Sequence, residues 1–230
     1  MPVALITGAS KGLGRAVARA LAGRGWDLVL DARGESELRL AVDGLEGSGR
    51  FVAIAGDVTD AAHRDALVTA AEGLGAIGLL VNNASTLGQS PMPVLRDYPL
   101  EVLRHVFEVN VVAPLALVQG LLPLLDAGSG RIINITSDAA VEGYEGWGGY
   151  GASKAALEQV SRVLAAEHPT VRVYWVDPGD MNTQMHQDAF PGEDISDRPP
   201  PESSVPGLLA LVEGDHPSGR YSARELAAGD

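Results

Sequence analysis

Short β-branched or aliphatic runs alternate with longer helical patterns along most of this chain, and that rhythm restricts the fold more than any other feature. The candidate strands are residues 3–7, 27–30, 51–55, 79–82, 131–136 and 171–176. Each is a near-continuous apolar run, as a strand covered on both faces requires. Helical patterns fill the intervals at 12–24, 35–45, 61–74, 100–125 and 150–167. Six strands and five intervening helices predict an α/β chain with a doubly wound parallel sheet and helices on both faces. Its ligands belong beyond the carboxyl ends of the strands, where the strand order reverses. All 230 residues read as a single domain. After Pro178 the texture changes: residues 190–206 are rich in proline, acids and serine, including Pro199-Pro200-Pro201, and read as a long loop. A substrate lid is expected at about 181–206. A helix near 204–213 and a short strand at 220–222 follow as closing elements.

Bulk properties narrow the partners. With 17 basic and 30 acidic residues the formal charge is −13, so phosphate backbones and anionic lipid surfaces repel the chain, and neither nucleic acid nor membrane is an expected partner. Cysteine is absent, which excludes disulfides and thiolate chemistry and fits a reducing cytoplasm. The start lacks a basic segment followed by an apolar one. No stretch reads as the ~20 apolar residues of a membrane span. The expectation is a soluble cytoplasmic protein.

The first strand runs into Thr7-Gly8-Ala9-Ser10-Lys11-Gly12-Leu13-Gly14, which opens a helix. Such glycines admit a pyrophosphate close to the backbone, and a helix N-terminus offers unpaired N–H groups. The spacing G-x-x-x-G-x-G departs from the common dinucleotide pattern G-x-G-x-x-G. Further on, Tyr150 and Lys154 lie four apart on one helical face. Lowering a phenol by about three pKa units needs about 4 kcal/mol, which one ammonium ~4 Å away supplies at an effective dielectric near 20. Ser137 follows the fifth strand, where its hydroxyl is placed to bind a substrate oxygen. Asn110 is a polar residue inside a long apolar helix, an unfavourable place for an amide without a role.

These residues resemble the short-chain dehydrogenase/reductase family, with a Rossmann-type fold. The likeness runs from Val3 to about Thr183 and is carried by the glycine loop, Asp57-Val58, Asn82-Asn83-Ala84, Asn110, Ser137, Tyr150-Gly151-Ala152-Ser153-Lys154 and Pro178-Gly179. The resemblance implies an oxidoreductase in which Ser137 polarises a carbonyl, Tyr150 is the general acid or base, and Lys154 binds the nicotinamide ribose and lowers the tyrosine pKa. Asn110 then holds a relay water. It also implies cofactor contacts from Gly8, Ser10, Lys11, Gly12, Leu13 and Gly14. Asp57 and Val58 are implied at the adenine, Asn83 and Ala84 beside the cofactor, and Thr183, after Pro178 and Gly179, at the carboxamide. No metal is implied. Two departures stand out. Ser85 replaces the glycine that ends Asn-Asn-Ala-Gly, and the tail lacks the family's closing strand with a Gly-Gly pair.

Cofactor choice is read at the end of the second strand, Leu28-Val29-Leu30-Asp31-Ala32-Arg33. The family's acidic position falls on Ala32, with Arg33 next to it. Asp31 is one residue early, which turns a strand side chain to the opposite face. Arg33 and Lys11 therefore predict NADP(H), with NAD(H) possible. The substrate is expected to be a small carbonyl compound or alcohol, in a pocket walled by residues 142–147 and the lid, with Tyr144, Trp147, Met185 and His186 as candidate linings. The resemblance and an alanine- and valine-rich helix surface suggest a homodimer or homotetramer. Two rival readings are an NAD-dependent alcohol dehydrogenase whose Asp31 reaches the ribose in a shifted register, and a dinucleotide-binding regulator without turnover.

Overall fold

The computed structural model describes residues 1–228. The elements run β1 (Val3–Ile6), α1 (Gly12–Ala22), β2 (Asp27–Ala32), α2 (Glu35–Asp43), β3 (Phe51–Ala55), α3 (Ala61–Leu74), β4 (Ile77–Asn82), α4 (Leu100–Phe107), α5 (Ala113–Ala127), β5 (Arg131–Ile135), α6 (Gly148–Glu167), β6 (Arg172–Asp177), α7 (Gln184–Ala189), α8 (Val205–Glu213), β7 (Gly219–Ser222) and α9 (Ala223–Ala228). All paired strands are parallel, in the order β3-β2-β1-β4-β5-β6-β7. The order reverses between β1 and β4, so the loops leaving those two strands diverge and open a cleft at the carboxyl edge.

Strand side chains alternate between two cores. Ala4, Ile6, Leu28, Leu30, Leu79 and Val81 face α1 and α8, while Val3, Leu5, Val29, Leu80, Ile132 and Val173 face α3 and α5. That parity explains why the strands are apolar throughout. It also puts Asp31 on the α3 side and Ala32 on the α1 side.

Four expectations change. The helix predicted over 100–125 is one path in three parts: a π turn at Glu108–Val112 joins α4 to α5 and carries Asn110. This 28-residue run, Leu100–Ala127, does reach the length and apolarity of a membrane span, contrary to the sequence-based reading, and 44% of its most apolar window is buried within the molecule. It covers the sheet beside α3 and β4. The proline-rich loop is not continuous loop. Within the expected lid, α7 precedes it and a 3-10 turn at Pro201–Ser204 interrupts it, with Asn182 N donating to Pro199 O and Ser204 Oγ to Pro178 O. Finally, the short strand expected at 220–222 is present as β7, which pairs Tyr174 with Gly219 through Asp177 with Ser222, so the tail does supply a closing strand, with one glycine where the family's pattern has a pair.

Candidate active site

Residues from β2, β5, β6, α1, α6 and α7, and from the loops after β1, β3 and β4, converge on one cleft of about 640 Å³ at the switch point. The glycine loop forms its floor. Gly8 has φ +66°, a left-handed conformation that disfavours a side chain. A Cβ at residue 14 would lie 2.4 Å from Gly8 O and 2.6 Å from Asn83 Nδ2. Gly14 therefore packs behind the loop and does not line the cleft, whereas Gly8, Ser10, Lys11, Gly12 and Leu13 do. Helix α1 begins at Gly12, and its N-cap residue Lys11 makes no side-chain cap bond, so the first N–H groups remain open to an anion.

The loop after β4 is clipped to this floor. Asn83 Nδ2 donates to Thr7 O at 2.9 Å and Gly8 O at 3.1 Å, while Thr7 Oγ1 accepts from the N–H groups of Asn83 and Ala84, each at 3.0 Å. Asn83 and Ala84 line the cleft, as do Asp57 and Val58 on the loop after β3. The Asp57 carboxylate accepts from Thr59 N and Oγ1 at 2.8 Å each. Pro178, Gly179 and Thr183 close the far wall. Thr183 caps α7 by accepting from His186 N at 3.3 Å, and its Cγ2 lies 3.6 Å from where a Cβ on Gly12 would stand, so this wall and the floor nearly meet.

Three basic side chains, Lys11, Arg15 and Arg33, line the cleft on the side of α1 and the end of β2, and among the described residues none of them enters an ion pair. Arg15 was not singled out from the sequence; its place one helical turn after Lys11 was the available signal. These free cations, the open helix end and the side-chain-free floor fit a dinucleotide with an extra phosphate.

At the opposite end stand Ser137, Tyr150 and Lys154. Helix α6 starts two residues earlier than predicted, at Gly148, which puts Tyr150 in its first turn and Lys154 one turn on. Lys154 Nζ donates to Ile135 O at 2.8 Å and lies 5.4 Å from the Tyr150 ring centre. Burial lowers Lys154 to about 7. Burial also raises the Tyr150 phenol; the charges of Asp177 and Asp138 add to this, and the hydroxyls of Ser85 and Ser137 oppose it. The sequence-based expectation of a phenol lowered by the ammonium therefore differs from the protein's own field. Desolvation penalises the phenolate and the ammonium alike, and two carboxylates face the phenol. Ser137 Oγ donates to Asp138 Oδ1 at 2.8 Å and accepts from Ala139 N at 3.2 Å.

Asn110 lies outside the cleft wall. Its Oδ1 accepts from Ser85 Oγ at 3.1 Å and Thr86 N at 2.9 Å, and its Nδ2 donates to Thr86 O at 3.0 Å and Ser153 Oγ at 2.9 Å. The amide thus ties the loop after β4 to α6, and Ser85, in place of glycine, supplies one of those ties. Of the expected substrate residues, Trp147, Met185 and His186 line the cleft. Tyr144 does not; it is exposed, and its hydroxyl donates to Asp138 Oδ2 at 3.0 Å. Trp147 packs edge-on against Tyr150, with ring centres 5.8 Å apart, and also meets Phe190 at 5.7 Å and Tyr144 at 6.3 Å.

Comparison with known proteins matches residues 2–194 to the family model for short-chain dehydrogenases. Sepiapterin reductase from Mus musculus is 36% identical over 200 residues, covering 80% of this chain and 76% of that protein. An alcohol dehydrogenase from Thermococcus sibiricus, complexed with 5-hydroxy-NADP, superposes with a TM-score of 0.87 at 28% identity, covering 96% of this chain and 95% of the other. A short-chain dehydrogenase from Shigella flexneri complexed with NADP gives 0.88 at 28% identity, covering 97% of both chains.

Proposed function

Because the chain belongs to the short-chain dehydrogenase/reductase family and is an oxidoreductase acting between CH–OH and C=O with a nicotinamide cofactor, we propose that it uses NADP(H) to reduce a small carbonyl compound through Ser137, Tyr150 and Lys154. The observation that carries this reading is one continuous cleft with three unpaired cations at one end and that trio at the other. Bound NADPH supplies the hydride.

Lys11, Arg15 and Arg33 bind the 2′-phosphate and its neighbours, while the α1 N-terminus faces the pyrophosphate. The Ser137 hydroxyl donates to the substrate carbonyl oxygen, and the Tyr150 hydroxyl gives that oxygen its proton. A phenol held protonated by burial suits the reducing direction, since it enters the step as an acid. Lys154, anchored on Ile135 O, fixes the nicotinamide ribose and supplies positive charge as the phenolate forms. Asn110 acts here by holding α6 and the loop after β4 in register. Trp147, Met185 and His186 form the apolar side of the substrate pocket. Residues 1–230 act as one unit whose lid covers 181–206, and exposed Val112 and Val163 support a homodimer.

Asp31 supports NADP(H) over the NAD reading, because its side chain turns toward α3 and bonds His63. The reading is tested by offering a panel of small ketones and aldehydes with NADPH or NADH and following cofactor absorbance. Turnover with NADPH is expected; equal use of NADH removes the cofactor assignment, and no turnover with any carbonyl class favours the regulator.

A further inference from the structure

Asp31 poses a conflict within the cleft. A carboxylate at the end of β2 suits ribose hydroxyls and opposes a 2′-phosphate, yet Asp31 lines the same end as Lys11, Arg15 and Arg33. A residue outside the cleft wall resolves it. His63, in the first turn of α3, brings Nε2 to 2.7 Å from Asp31 Oδ1, with the side chains 7% and 2% exposed. The other carboxylate oxygen accepts from Gly8 N at 3.5 Å. The ring has room only because residue 56 is glycine, since a Cβ there would lie 2.3 Å from His63 Nδ1. Asp57 is the remaining charge felt by Asp31; its own carboxylate is turned to Thr59 and lies in the field of Arg33.

We propose that His63 is a positioning residue for cofactor specificity: it holds the Asp31 carboxylate toward α3, away from the ribose, and so lets a chain with an acid at this strand end accept NADP(H). Sheet parity supplies the direction, His63 the bond and Gly56 the space. The inference rests on the NADP(H) reading but predicts something separate, a change in the ratio of the two cofactors caused by a side chain that touches neither.

The test measures kcat/KM and binding of NADPH and NADH for the full chain and for H63A, H63Q and the double variant H63A/D31N. H63A is expected to lower the NADPH-to-NADH ratio about tenfold, the size of one close charge contact released near the phosphate. H63Q, which keeps an N–H for Asp31, is expected to retain the ratio, and H63A/D31N to restore NADPH use. A loss shared equally by both cofactors, or a double variant that does not recover, overturns the proposal. Should H63A not fold, Gly56→Ala, which displaces the ring by contact, is read by the same ratio and the same criterion. An unmodified chain that prefers NADH removes the NADP(H) reading alone. The role of His63 is then decided by whether its variants still move the ratio further toward NADH.

Discussion

Arg220 on β7 donates from Nε to Glu158 on α6 at 2.9 Å, and the Glu158 carboxylate is only 1% exposed. The same guanidinium reaches Ser137 O at 3.3 Å and Asp177 Oδ2 at 3.5 Å, so the closing strand holds the helix of Lys154, the Ser137 backbone and the end of β6 together. Glu158 keeps Arg162 and Thr136 as further partners. Removing Arg220 as Arg220→Met is therefore expected to cost about 2 kcal/mol, below the usual penalty for breaking a buried pair because those partners remain. Chemical denaturation should show a lower midpoint at unchanged slope. Arg220→Lys should recover only part of it, since an ammonium lacks the planar fork.

Lys154 makes stability depend on pH in a defined direction. Its folded value is about 7 against an ordinary value of 10.5. Between those values the unfolded chain carries a proton that the folded chain does not, so this group favours folding increasingly as pH rises from about 7 to 10.5. Below 7 the folded state bears the full cost of a buried ammonium. Lys154→Met should consequently raise Tm relative to the unmodified protein more at pH 6 than at pH 9. Thermal melts across that range that keep a constant difference refute the account.

Tyr150→Phe removes one oxygen and leaves the ring packing with Trp147. Cofactor affinity should persist while turnover falls at least about 10²-fold, the general-acid contribution. Fluorescence titration and initial rates separate the two, and near-normal rates eliminate Tyr150 as the proton donor.

Arg33→Ala deletes one of the three basic side chains that line the cleft beside α1 and the end of β2. KM for NADPH should rise about tenfold, roughly 1.4 kcal/mol, with KM for NADH almost unchanged. Equal effects on both cofactors would argue that Arg33 only shapes the loop.

Gly14→Ala places a methyl 2.4 Å from Gly8 O. The backbone of both elements must shift, so a loss of at least about 2 kcal/mol and weakened binding of either dinucleotide are expected, from calorimetry and titration respectively.

What the residue order determined by itself was whatever depends on local pattern. The apolar runs named the strands because a doubly covered parallel strand has no polar face, and the glycines at 8, 12 and 14 named the loop because positive φ at 8 and 12 and close packing at 14 disfavour a side chain. The four-residue spacing of Tyr150 and Lys154 placed them on one face because helical geometry is local. Tertiary structure decided the rest. That Asn110 is occupied by Ser85, Thr86 and Ser153, that His63 claims Asp31, and that Arg220 reaches Glu158 are pairings across 24 to 62 residues. No periodicity records such pairings. The phenol and ammonium that looked mutually supportive in sequence each lose hydration when the sheet and α6 close over them. Burial is a property of the packed molecule, so the direction of both shifts was fixed only there.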